Sequence, residues 1–499
     1  MQKIKNKPIS LRVLLKGLSK ENFNKLDDLS FEGISLNSKE VKENFLFCAV
    51  KGKKKNGNDF IKEAFKKGAK FCLTDNKDFE DHNTLYLNNL KDNLGIISSR
   101  FFDYPSKKLI TFGVTGTNGK TSCVEFISKI SNLINLKCGY ISTIGISLDG
   151  KTLSLPSSLT TPDPITLQRT FYEMVQQGST QVAFEASSHG LNQSRVNGTD
   201  LDVAILTSFS RDHLDYHKNI TNYKQAKKKL FTELKPKNII LNTDNLLGKE
   251  IFKELQEIKQ TSSIFTVSNQ VGSDFHYTFS RNKNGYVKVD LQTPETKINF
   301  SLKTISKPLA ANVVCALAAF YSKGFKVDKV SDLLKDLDFA KGRMEPIFLN
   351  KKDRCFIDYA HTTEALEASL SELKNAYGKT NLWCIFGCGG NRDSEKRPKM
   401  GSVAEKLTDF LVLTNDNPRT ENEMDIISDI KSGLKNKSIT KVIPNRREAI
   451  FYCLKKIKES NQSNVLLIAG KGHEEYQEIS EKKFHFSDHQ IVKEFLVSN

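Results

Sequence analysis

Short apolar runs alternate with helical patterns along most of the chain. In its middle third, apolar runs at 109–114, 182–185, 203–206 and 239–242 are separated by segments with helical periodicity. Short continuous apolar runs are typical of strands buried on both faces, and their alternation with helices indicates a parallel sheet. We therefore predict a P-loop-type α/β domain, a parallel sheet wound with helices, in residues 106–340.

Polar and apolar residues alternate further along the same segment, at 275–279, 286–291 and 298–302. A period of two is typical of strands with one solvent-facing side, so we predict an antiparallel edge on this sheet. Residues 1–105 show short apolar runs around a helical segment at 59–67, which predicts a small N-terminal α/β domain.

The last third of the chain repeats the α/β pattern. Apolar runs at 354–359, 382–386, 410–413 and 465–469 are each followed by Gly, Asp or Asn and then by a helical pattern. We predict an open, Rossmann-like α/β domain in residues 341–499, with its ligand at the carboxyl ends of the strands.

Length and charge indicate the number of domains and the kinds of partner that the protein can bind. The 499 residues agree with three domains, because single hydrophobic cores stop growing well below that size. The formal net charge is +17, but only 13 of the 75 basic residues are arginine. Lysines spread over solvated faces raise the isoelectric point without forming a groove, so we expect no nucleic-acid partner. The diffuse positive field is compatible with small polyanionic substrates. The few arginines are of interest because only guanidinium forms bidentate contacts with carboxylate or phosphate.

The composition also predicts a compartment. No stretch approaches the ~20 apolar residues of a membrane span, and the N-terminal residues lack the apolar core of a secretory signal. The chain has nine cysteines and no C-x-x-C spacing, which predicts that they are reduced residues of the core. We expect a cytoplasmic protein that does not insert into a membrane.

The strongest chemical motif is the turn after the first strand of the middle domain, Gly113-Val114-Thr115-Gly116-Thr117-Asn118-Gly119-Lys120-Thr121-Ser122. A glycine-bracketed turn between a strand and a helix presents free backbone N–H groups and a positive helix end to phosphates. Lys120 would reach the outer phosphates of ATP, and the Thr121 hydroxyl would contact Mg²⁺. Val114 stands where the usual P-loop spacing has a glycine.

Two further strands end in polar clusters at the edge of the sheet where the phosphate turn is expected. One cluster begins at Glu185, and the other, at 207–217, contains His213. A carboxylate suits the hard cation Mg²⁺, so Glu185 is a candidate ligand. An imidazole is less expected on Mg²⁺, and helix capping or hydrogen bonding is the alternative role for His213.

Together these motifs resemble the Mur ligase family of ATP-dependent peptidoglycan enzymes. The resemblance is strongest to the members that add meso-diaminopimelate to UDP-N-acetylmuramoyl-L-alanyl-D-glutamate. It rests on residues 36–39, 115–122, 160–162, 185–195, 211–217, 226–227, 342–345, 358–361, 387–398, 416–419 and 470–474. It implies an amide-bond ligase that activates a carboxylate as an acyl phosphate before an amine attacks, with release of ADP and phosphate.

The resemblance implies a role for each matching residue. ATP would be bound by Gly116, Thr117, Asn118, Gly119, Lys120, Thr121, Ser122, Asn312, Arg343 and Asp358, with His361 nearby. The UDP-muramoyl dipeptide would be bound by Leu36, Ser38, Lys53, Lys54, Lys55, Thr160, Thr161, Ser187, Gln193 and Arg195. Mg²⁺ would be held by Thr121, Glu185, His213 and a carbamoylated Lys227. The catalytic residues would be Lys120, Glu185, His213 and Lys227. Diaminopimelate would be bound by Arg392, Asp416, Asn417, Pro418, Arg419, Gly470 and Glu474.

Charge predicts which amino acid is added. Arg419 and Arg392 can offer paired N–H groups to a carboxylate. meso-Diaminopimelate carries a distal carboxylate, whereas lysine ends in an ammonium that would face a desolvated guanidinium. Gly470 and Glu474 would meet the distal amino group. The alternative is that 416–419 form only a proline-containing turn.

Several positions depart from the residues usual in the family, namely Lys39, Ser208, Ala310, Lys341, Thr363 and Asn391. None is a predicted metal or phosphate ligand, so we still expect activity. Two alternatives stay open. One is another Mur ligase or a folylpolyglutamate synthase, and the other is a P-loop regulator that hydrolyses or senses ATP without ligation. We expect a monomer that uses ATP, Mg²⁺ and small-molecule substrates.

Overall fold

The computed structural model describes residues 8–18, 29–52, 55–148, 151–153, 159–258, 261–282, 286–337, 339 and 341–498. Their strands form three main sheets, one each in the N-terminal, middle and C-terminal parts of the chain, with helices packed against them. The predicted α/β class with three sheet-based units is confirmed. The limits of the predicted domains, near residues 106 and 341, stay predictions.

The N-terminal unit is built on a small parallel sheet. Its elements are β1 (Ile9–Ser10), α1 (Leu11–Leu15), β2 (Ser30–Phe31), β3 (Gly33–Ser35), β4 (Phe45–Ala49), α2 (Ile61–Lys66), β5 (Ala69–Thr74), β6 (Thr84–Tyr86) and α3 (Leu90–Phe101). The sheet has the order β3-β4-β5-β6, and β1 and β2 form a separate antiparallel pair. Helix α3 buries Leu90, Leu94 and Ile97, which are spaced three or four residues apart, against this sheet.

The middle unit contains the largest sheet. Its elements are β7 (Ile110–Thr115), α4 (Lys120–Leu133), β8 (Cys138–Ser142), β9 (Gly145–Leu148), β10 (Lys151–Thr152), α5 (Pro164–Gln176), β11 (Gln181–Glu185), α6 (Ser188–Asn192), β12 (Val203–Leu206), α7 (Leu214–His217), α8 (Ile220–Thr232), β13 (Asn238–Asn242), α9 (Leu246–Glu257), β14 (Ser263–Ser268), β15 (Phe275–Arg281), β16 (Val287–Gln292), β17 (Lys297–Ser301), α10 (Lys307–Ser322) and α11 (Val327–Ser331). The strand order is β10-β9-β8-β11-β7-β12-β13-β14-β15-β16-β17. Strands β8 to β14 in that order pair in parallel, with β7 at the centre.

Antiparallel strands flank both sides of this parallel core. The predicted antiparallel edge at 275–302 is confirmed, because β15, β16 and β17 pair in antiparallel register. At the other edge, β8, β9 and β10 also pair in antiparallel register, an extension that the sequence patterns did not predict. Apolar helix α10 packs against α4 on one face of the sheet and is buried along most of its length.

The C-terminal unit is a second open sheet. Its elements are β18 (Glu345–Phe348), β19 (Arg354–Asp358), α12 (Thr363–Ala376), β20 (Asn381–Phe386), α13 (Lys396–Leu407), β21 (Phe410–Leu413), α14 (Glu423–Lys431), β22 (Thr440–Val442), α15 (Arg446–Glu459), β23 (Asn464–Ala469), β24 (Tyr476–Ile479), β25 (Lys482–His485) and α16 (Asp488–Ser498). The main sheet has the order β18-β19-β23-β20-β21-β22, and all neighbours except β18 and β19 pair in parallel. The strands β24 and β25 form a separate hairpin.

Backbone contacts fix the N-terminal unit against the middle unit. A Cβ added at Gly95, on α3, would lie 1.8 Å from the carbonyl oxygen of Asn197, so no larger residue fits there without a shift. Beside this contact, the Ser194 hydroxyl donates to Asp92 at 2.6 Å. The loop that carries Gln193 and Arg195 is therefore held directly on α3.

All nine cysteines lie in the described part of the chain and are buried free thiols, as expected for core residues. Within the described ranges, no helix has both the length and the apolar composition to cross a membrane.

A buried ion pair yields a stability prediction. Arg446 and Asp488 are both wholly buried and bond through two N–H···O contacts of 2.8 Å each. Replacing Asp488 by Ala leaves an uncompensated guanidinium, which costs about 3–5 kcal/mol of unfolding free energy. The urea transition can be followed by the fluorescence of Trp383, the only tryptophan, which stacks on Phe410 in the same unit. The control is Glu459→Ala, which removes an exposed pair with Lys456 and should leave the midpoint unchanged. Equal midpoints for the two variants would contradict the prediction.

Candidate active site at the junction of the domains

The phosphate turn lies between the central strand β7 and helix α4. Gly116 and Gly119 adopt φ values of 156° and 86°, in the range that favours glycine. A Cβ at Gly119 would also lie 2.7 Å from the side-chain amide of Asn312, on α10. The Lys120 ammonium donates to the carbonyl oxygens of Gly116 and Thr117 at 2.9 and 3.0 Å. The turn therefore places a cation and a helix N-terminus on one side of the cleft.

Glu185 lies at the end of β11, beside this turn, and is 1% exposed. Its Oε1 accepts hydrogen bonds from the Thr121 hydroxyl at 2.7 Å and from the backbone N–H of Thr143 at 2.9 Å. A hydroxyl and a carboxylate are hard oxygen donors, so their chemistry fits Mg²⁺. Across the residues the structure describes, no three His, Cys, Asp or Glu side chains converge as a metal site. The predicted set therefore depends on Thr121 and on modification of Lys227.

Lys227 extends from α8 toward the same turn and is 1% exposed. Its Nζ donates to the Gly116 carbonyl at 2.8 Å and lies 4.5 Å from the centre of the Tyr223 ring. Burial, reinforced by the nearby Lys120 ammonium, lowers the pKa of Lys227 well below its usual range. A larger share of this side chain is therefore unprotonated than in a lysine exposed to water.

His213 lies immediately before the short helix α7, at its N-cap position. Burial lowers the pKa of its imidazole well below the usual value, so the ring is neutral. Its Nε2 lies 3.4 Å from Asp212, a buried carboxylate that also faces His361 at 3.8 Å and Lys396 at 3.7 Å. Sequence reasoning missed Asp212 and Lys396, although Asp212 stands inside the polar cluster that drew attention to His213.

The C-terminal unit supplies the other wall of this site. The guanidinium of Arg343 stacks on Tyr359 at 4.5 Å and donates to the Thr121 hydroxyl at 3.3 Å. Asp358 does not line the cleft. It accepts from the Met344 N–H at 3.0 Å and from the Ser369 hydroxyl at 2.6 Å, so it holds the segment that presents Arg343.

One cleft of about 450 Å³ joins these walls to the predicted diaminopimelate site. The predicted residues along it are Thr117, Asn118, Gly119, Lys120, Thr121, Thr160, Glu185, Ser187, Arg195, His213, Arg343, His361, Arg392, Asp416, Asn417, Arg419, Gly470 and Glu474. Gly116, Ser122, Asn312 and Lys227 lie behind this surface, close to the phosphate turn.

Arg392 and Arg419 approach each other at Gly389. A Cβ there would lie 2.9 Å from Arg419 Nη1 and 3.7 Å from Arg392 Cγ. Each guanidinium already has a protein carboxylate as partner, since Arg419 Nε bonds Glu478 at 3.0 Å and Arg392 Nη1 lies 3.8 Å from Asp215. A substrate carboxylate would therefore join or displace these partners.

The other predicted diaminopimelate residues surround this pair. Oδ2 of Asp416 is buried without a hydrogen-bond partner and would lie 2.5 Å from a Cβ at Gly470. Asn417 and Glu474 bond each other at 2.9 Å, and both bond the wholly buried Lys471. Pro418 contributes its backbone, which lies against Gly390. Sequence reasoning did not single out Lys471, although it stands within the 470–474 motif.

A second hollow of about 380 Å³ extends from the cleft toward the N-terminal unit. It is lined by Leu36 and Gln193 and shares Leu159 and Arg195 with the cleft. At their junction, Arg195 donates to the Thr161 carbonyl at 2.7 Å, and Thr161 bonds the Ser187 hydroxyl at 2.9 Å. Thr161 is wholly buried and lines neither hollow, so it connects Arg195 and Ser187 from beneath the surface.

Ser38 and Lys55, which are predicted to bind the UDP-muramoyl dipeptide, line neither hollow. Ser38 is buried and donates to Glu63 at 3.0 Å. Lys55 lies 5.9 Å from the Phe60 ring. Lys53 and Lys54 fall outside the described residues, so their predicted contacts stay predictions.

Comparison with known proteins identifies the family. The family models called "Mur ligase family, catalytic domain", "Mur ligase middle domain" and "Mur ligase, glutamate ligase domain" match residues 30–102, 114–320 and 342–472. The UDP-N-acetylmuramoyl-L-alanyl-D-glutamate–2,6-diaminopimelate ligase of Coxiella burnetii is 35% identical, over 94% of this chain and 96% of its own. The chain belongs to the Mur ligase family. The ligase of the same name from Rickettsia conorii is 38% identical, over 93% of this Mur ligase and 95% of its own chain.

Solved structures agree with this assignment. A structure of a UDP-N-acetylmuramoyl-L-alanyl-D-glutamate–2,6-diaminopimelate ligase has a TM-score of 0.71 and 29% identity, and covers 99% of both chains. A folylpolyglutamate synthase of Mycobacterium tuberculosis, complexed with ADP and AMPPCP, has a TM-score of 0.63 and 17% identity, and covers 76% of this Mur ligase and 92% of its own chain. At that identity the second likeness shows the fold alone.

His473 provides a pH prediction for this Mur ligase. Its ring lies 5.0 Å from the Tyr359 ring, and burial lowers its pKa to about 3. The unfolded chain takes up a proton near pH 6.5 and the folded chain does not, so stability is lost as pH falls below about 6.5, by about 1.4 kcal/mol per pH unit. His473→Gln should remove this loss between pH 6.5 and 5, measured as the Trp383 urea midpoint, whereas replacing the exposed His82 should not. Parallel pH curves for His473→Gln and the unmodified chain would sink the prediction.

Proposed function

We propose that this chain is an ATP-dependent ligase that joins meso-diaminopimelate to the glutamyl carboxylate of UDP-N-acetylmuramoyl-L-alanyl-D-glutamate and releases ADP and phosphate. The observation that carries the proposal is the single cleft lined by both the phosphate turn and the Arg392–Arg419 pair. Relatives at 34–38% identity over nearly the whole chain bear the name of this enzyme.

Charge repulsion sets the main difficulty of the reaction. The glutamyl carboxylate attacks the γ-phosphorus of ATP, which forms an acyl phosphate and releases ADP. The amine of diaminopimelate then attacks the acyl carbon, and phosphate leaves. Because anionic groups must approach one another, cations are needed at the reacting centre. Lys120 on the turn and Arg343 on the opposite wall supply them.

The hydroxyl of Thr121, the carboxylate of Glu185, the neutral imidazole of His213 and a modified Lys227 would hold Mg²⁺. The ion supplies positive charge to the phosphate oxygens and the transferred phosphoryl group. The chain supports this set because Thr121 and Glu185 are already joined by a hydrogen bond and His213 is uncharged.

A carbamate on Lys227 would replace a cation by an anion beside the turn. The neutral amine attacks CO₂, a C–N bond forms, and one proton is released to solvent. The low pKa of Lys227 supports this modification, since only an unprotonated amine has the free electron pair. Loss of the ammonium also removes repulsion between Lys227 and Lys120.

Selection of the amino acid depends on its distal end. Arg392 and Arg419 would bind the distal carboxylate, and the buried free oxygen of Asp416, with Glu474, would accept from the distal ammonium. Lysine has no carboxylate at this position, so the two guanidinium groups would keep only their protein partners, Glu478 and Asp215, and would face the lysine ammonium. We further propose a monomer located in the cytoplasm, and the nine buried free thiols are consistent with that location.

The first functional prediction separates ligation from simple ATP hydrolysis. Phosphate release should require ATP, the UDP-muramoyl dipeptide and diaminopimelate together. Lys120→Met should lower tripeptide formation at least about a hundredfold, because it removes a charge at the transferred phosphate. The control is Lys229→Met, which removes an ion pair with Glu233 on α8 and should retain activity. Steady ATP hydrolysis without an acceptor amino acid would instead favour a P-loop regulator.

The second functional prediction concerns the choice of amino acid. With diaminopimelate and lysine offered side by side, the unmodified chain should prefer diaminopimelate by ~30-fold or more, because one charged contact is lost with lysine. Arg419→Lys should raise the KM for diaminopimelate and leave the KM for ATP unchanged, since lysine cannot form the planar fork. The matched control is Arg447→Lys, at an outer pair with Glu494. Equal use of both amino acids by the unmodified chain would refute the role of Arg419.

A further inference from the structure

Arg397 lies beneath the two loops that carry Arg392 and Arg419, and the proposed reaction makes no use of it. It belongs to the first turn of α13, and its side chain is 2% exposed. It does not line the cleft. A buried guanidinium is costly to place away from water, so its partners indicate what it does.

Those partners come from both loops. Nη2 of Arg397 donates to the Gly389 carbonyl at 3.3 Å and to Glu421 at 3.0 Å, and Nη1 lies 2.9 Å from the other oxygen of Glu421. Nη1 also bonds Asp429 on α14 at 2.8 Å. The carboxylate of Glu421 in turn accepts from the N–H of Asn391. One guanidinium thus bonds the loop before Arg392 directly and the loop after Arg419 through Glu421.

The same two loops also contact each other along their backbones. The Gly390 N–H donates to the Asn417 carbonyl at 2.9 Å, and Arg419 Nη1 donates to the Gly390 carbonyl at 2.8 Å. The Thr420 hydroxyl donates to the side chain of Asn391 at 2.9 Å. A Cβ at Gly390 would lie 2.0 Å from the Pro418 carbonyl, so the loops are as close as glycine allows.

We propose that Arg397 is a positioning residue that sets the separation of Arg392 and Arg419 and so determines selection for a substrate with a distal carboxylate. This inference rests on the proposed function. The planar guanidinium can serve both loops and α14 at once, whereas a lysine ammonium is a point charge without a fixed fork. Hydrogen bonds from Arg397 lower the pKa of Glu421 and keep it ionised as the link to the second loop.

The test is Arg397→Lys in the full-length protein. The KM for diaminopimelate should rise about tenfold to hundredfold, because misplacement of a binding group by about 1 Å has effects of that size. The KM values for ATP and for the UDP-muramoyl dipeptide should stay unchanged, and the preference for diaminopimelate over lysine should fall. Arg447→Lys is the control and should change none of these quantities.

Glu421→Gln provides an independent arm if Arg397→Lys fails to fold. It preserves the shape of the side chain but removes its charge, so the KM for diaminopimelate should rise by a smaller factor than in Arg397→Lys. A wild-type KM and wild-type selectivity in a folded Arg397→Lys protein, or in Glu421→Gln, would overturn the inference. Failure of the unmodified chain to form any tripeptide with diaminopimelate would instead overturn the proposed function.

Discussion

The Thr121 hydroxyl joins the three parts of the candidate active site. It donates to Glu185 at the end of β11 and accepts from Arg343 of the C-terminal unit, while its own backbone belongs to the phosphate turn. A carboxylate, a guanidinium and a helix N-terminus therefore meet around one oxygen atom. This arrangement suits a reaction in which anionic groups must approach each other, because the offsetting charges come from both sides of the cleft.

Charged pairs across the domain junction extend this arrangement. The loop after β12 places Arg211 within 3.4 Å of Asp393, and the helix α7 that follows places Asp215 within 3.8 Å of Arg392. Lys396 lies 3.7 Å from the buried Asp212. The predicted amino-acid site is thus not a property of the C-terminal unit alone. The loop that carries Arg392 is held by these ion pairs against the segment that carries His213.

Buried cations support the C-terminal end of the cleft from below. Lys471 bonds Asn417 and Glu474, and Arg397 bonds the two loops that carry Arg392 and Arg419. Arg446 donates to the carbonyls of Asn415 and Ala469, the residues that precede Asp416 and Gly470. Each of these buried cations bonds groups at or near a predicted substrate contact. Their desolvation is offset by these bonds, and the same bonds fix the backbone of the site.

The sequence by itself determined the central strands of the two larger sheets and the phosphate turn. Strands such as β11 and β23 are continuous apolar runs, and the turn has glycines where φ is positive, so both are local properties of neighbouring residues. Tertiary structure alone decided strand order, such as the position of β23 between β19 and β20, and the antiparallel pairing of β8, β9 and β10. It also decided that Asp212 meets His361 and that Arg397 lies under two loops, because such contacts join residues far apart in the chain. Local sequence patterns do not indicate which distant residues come into contact. The packing of the three sheets decides these contacts.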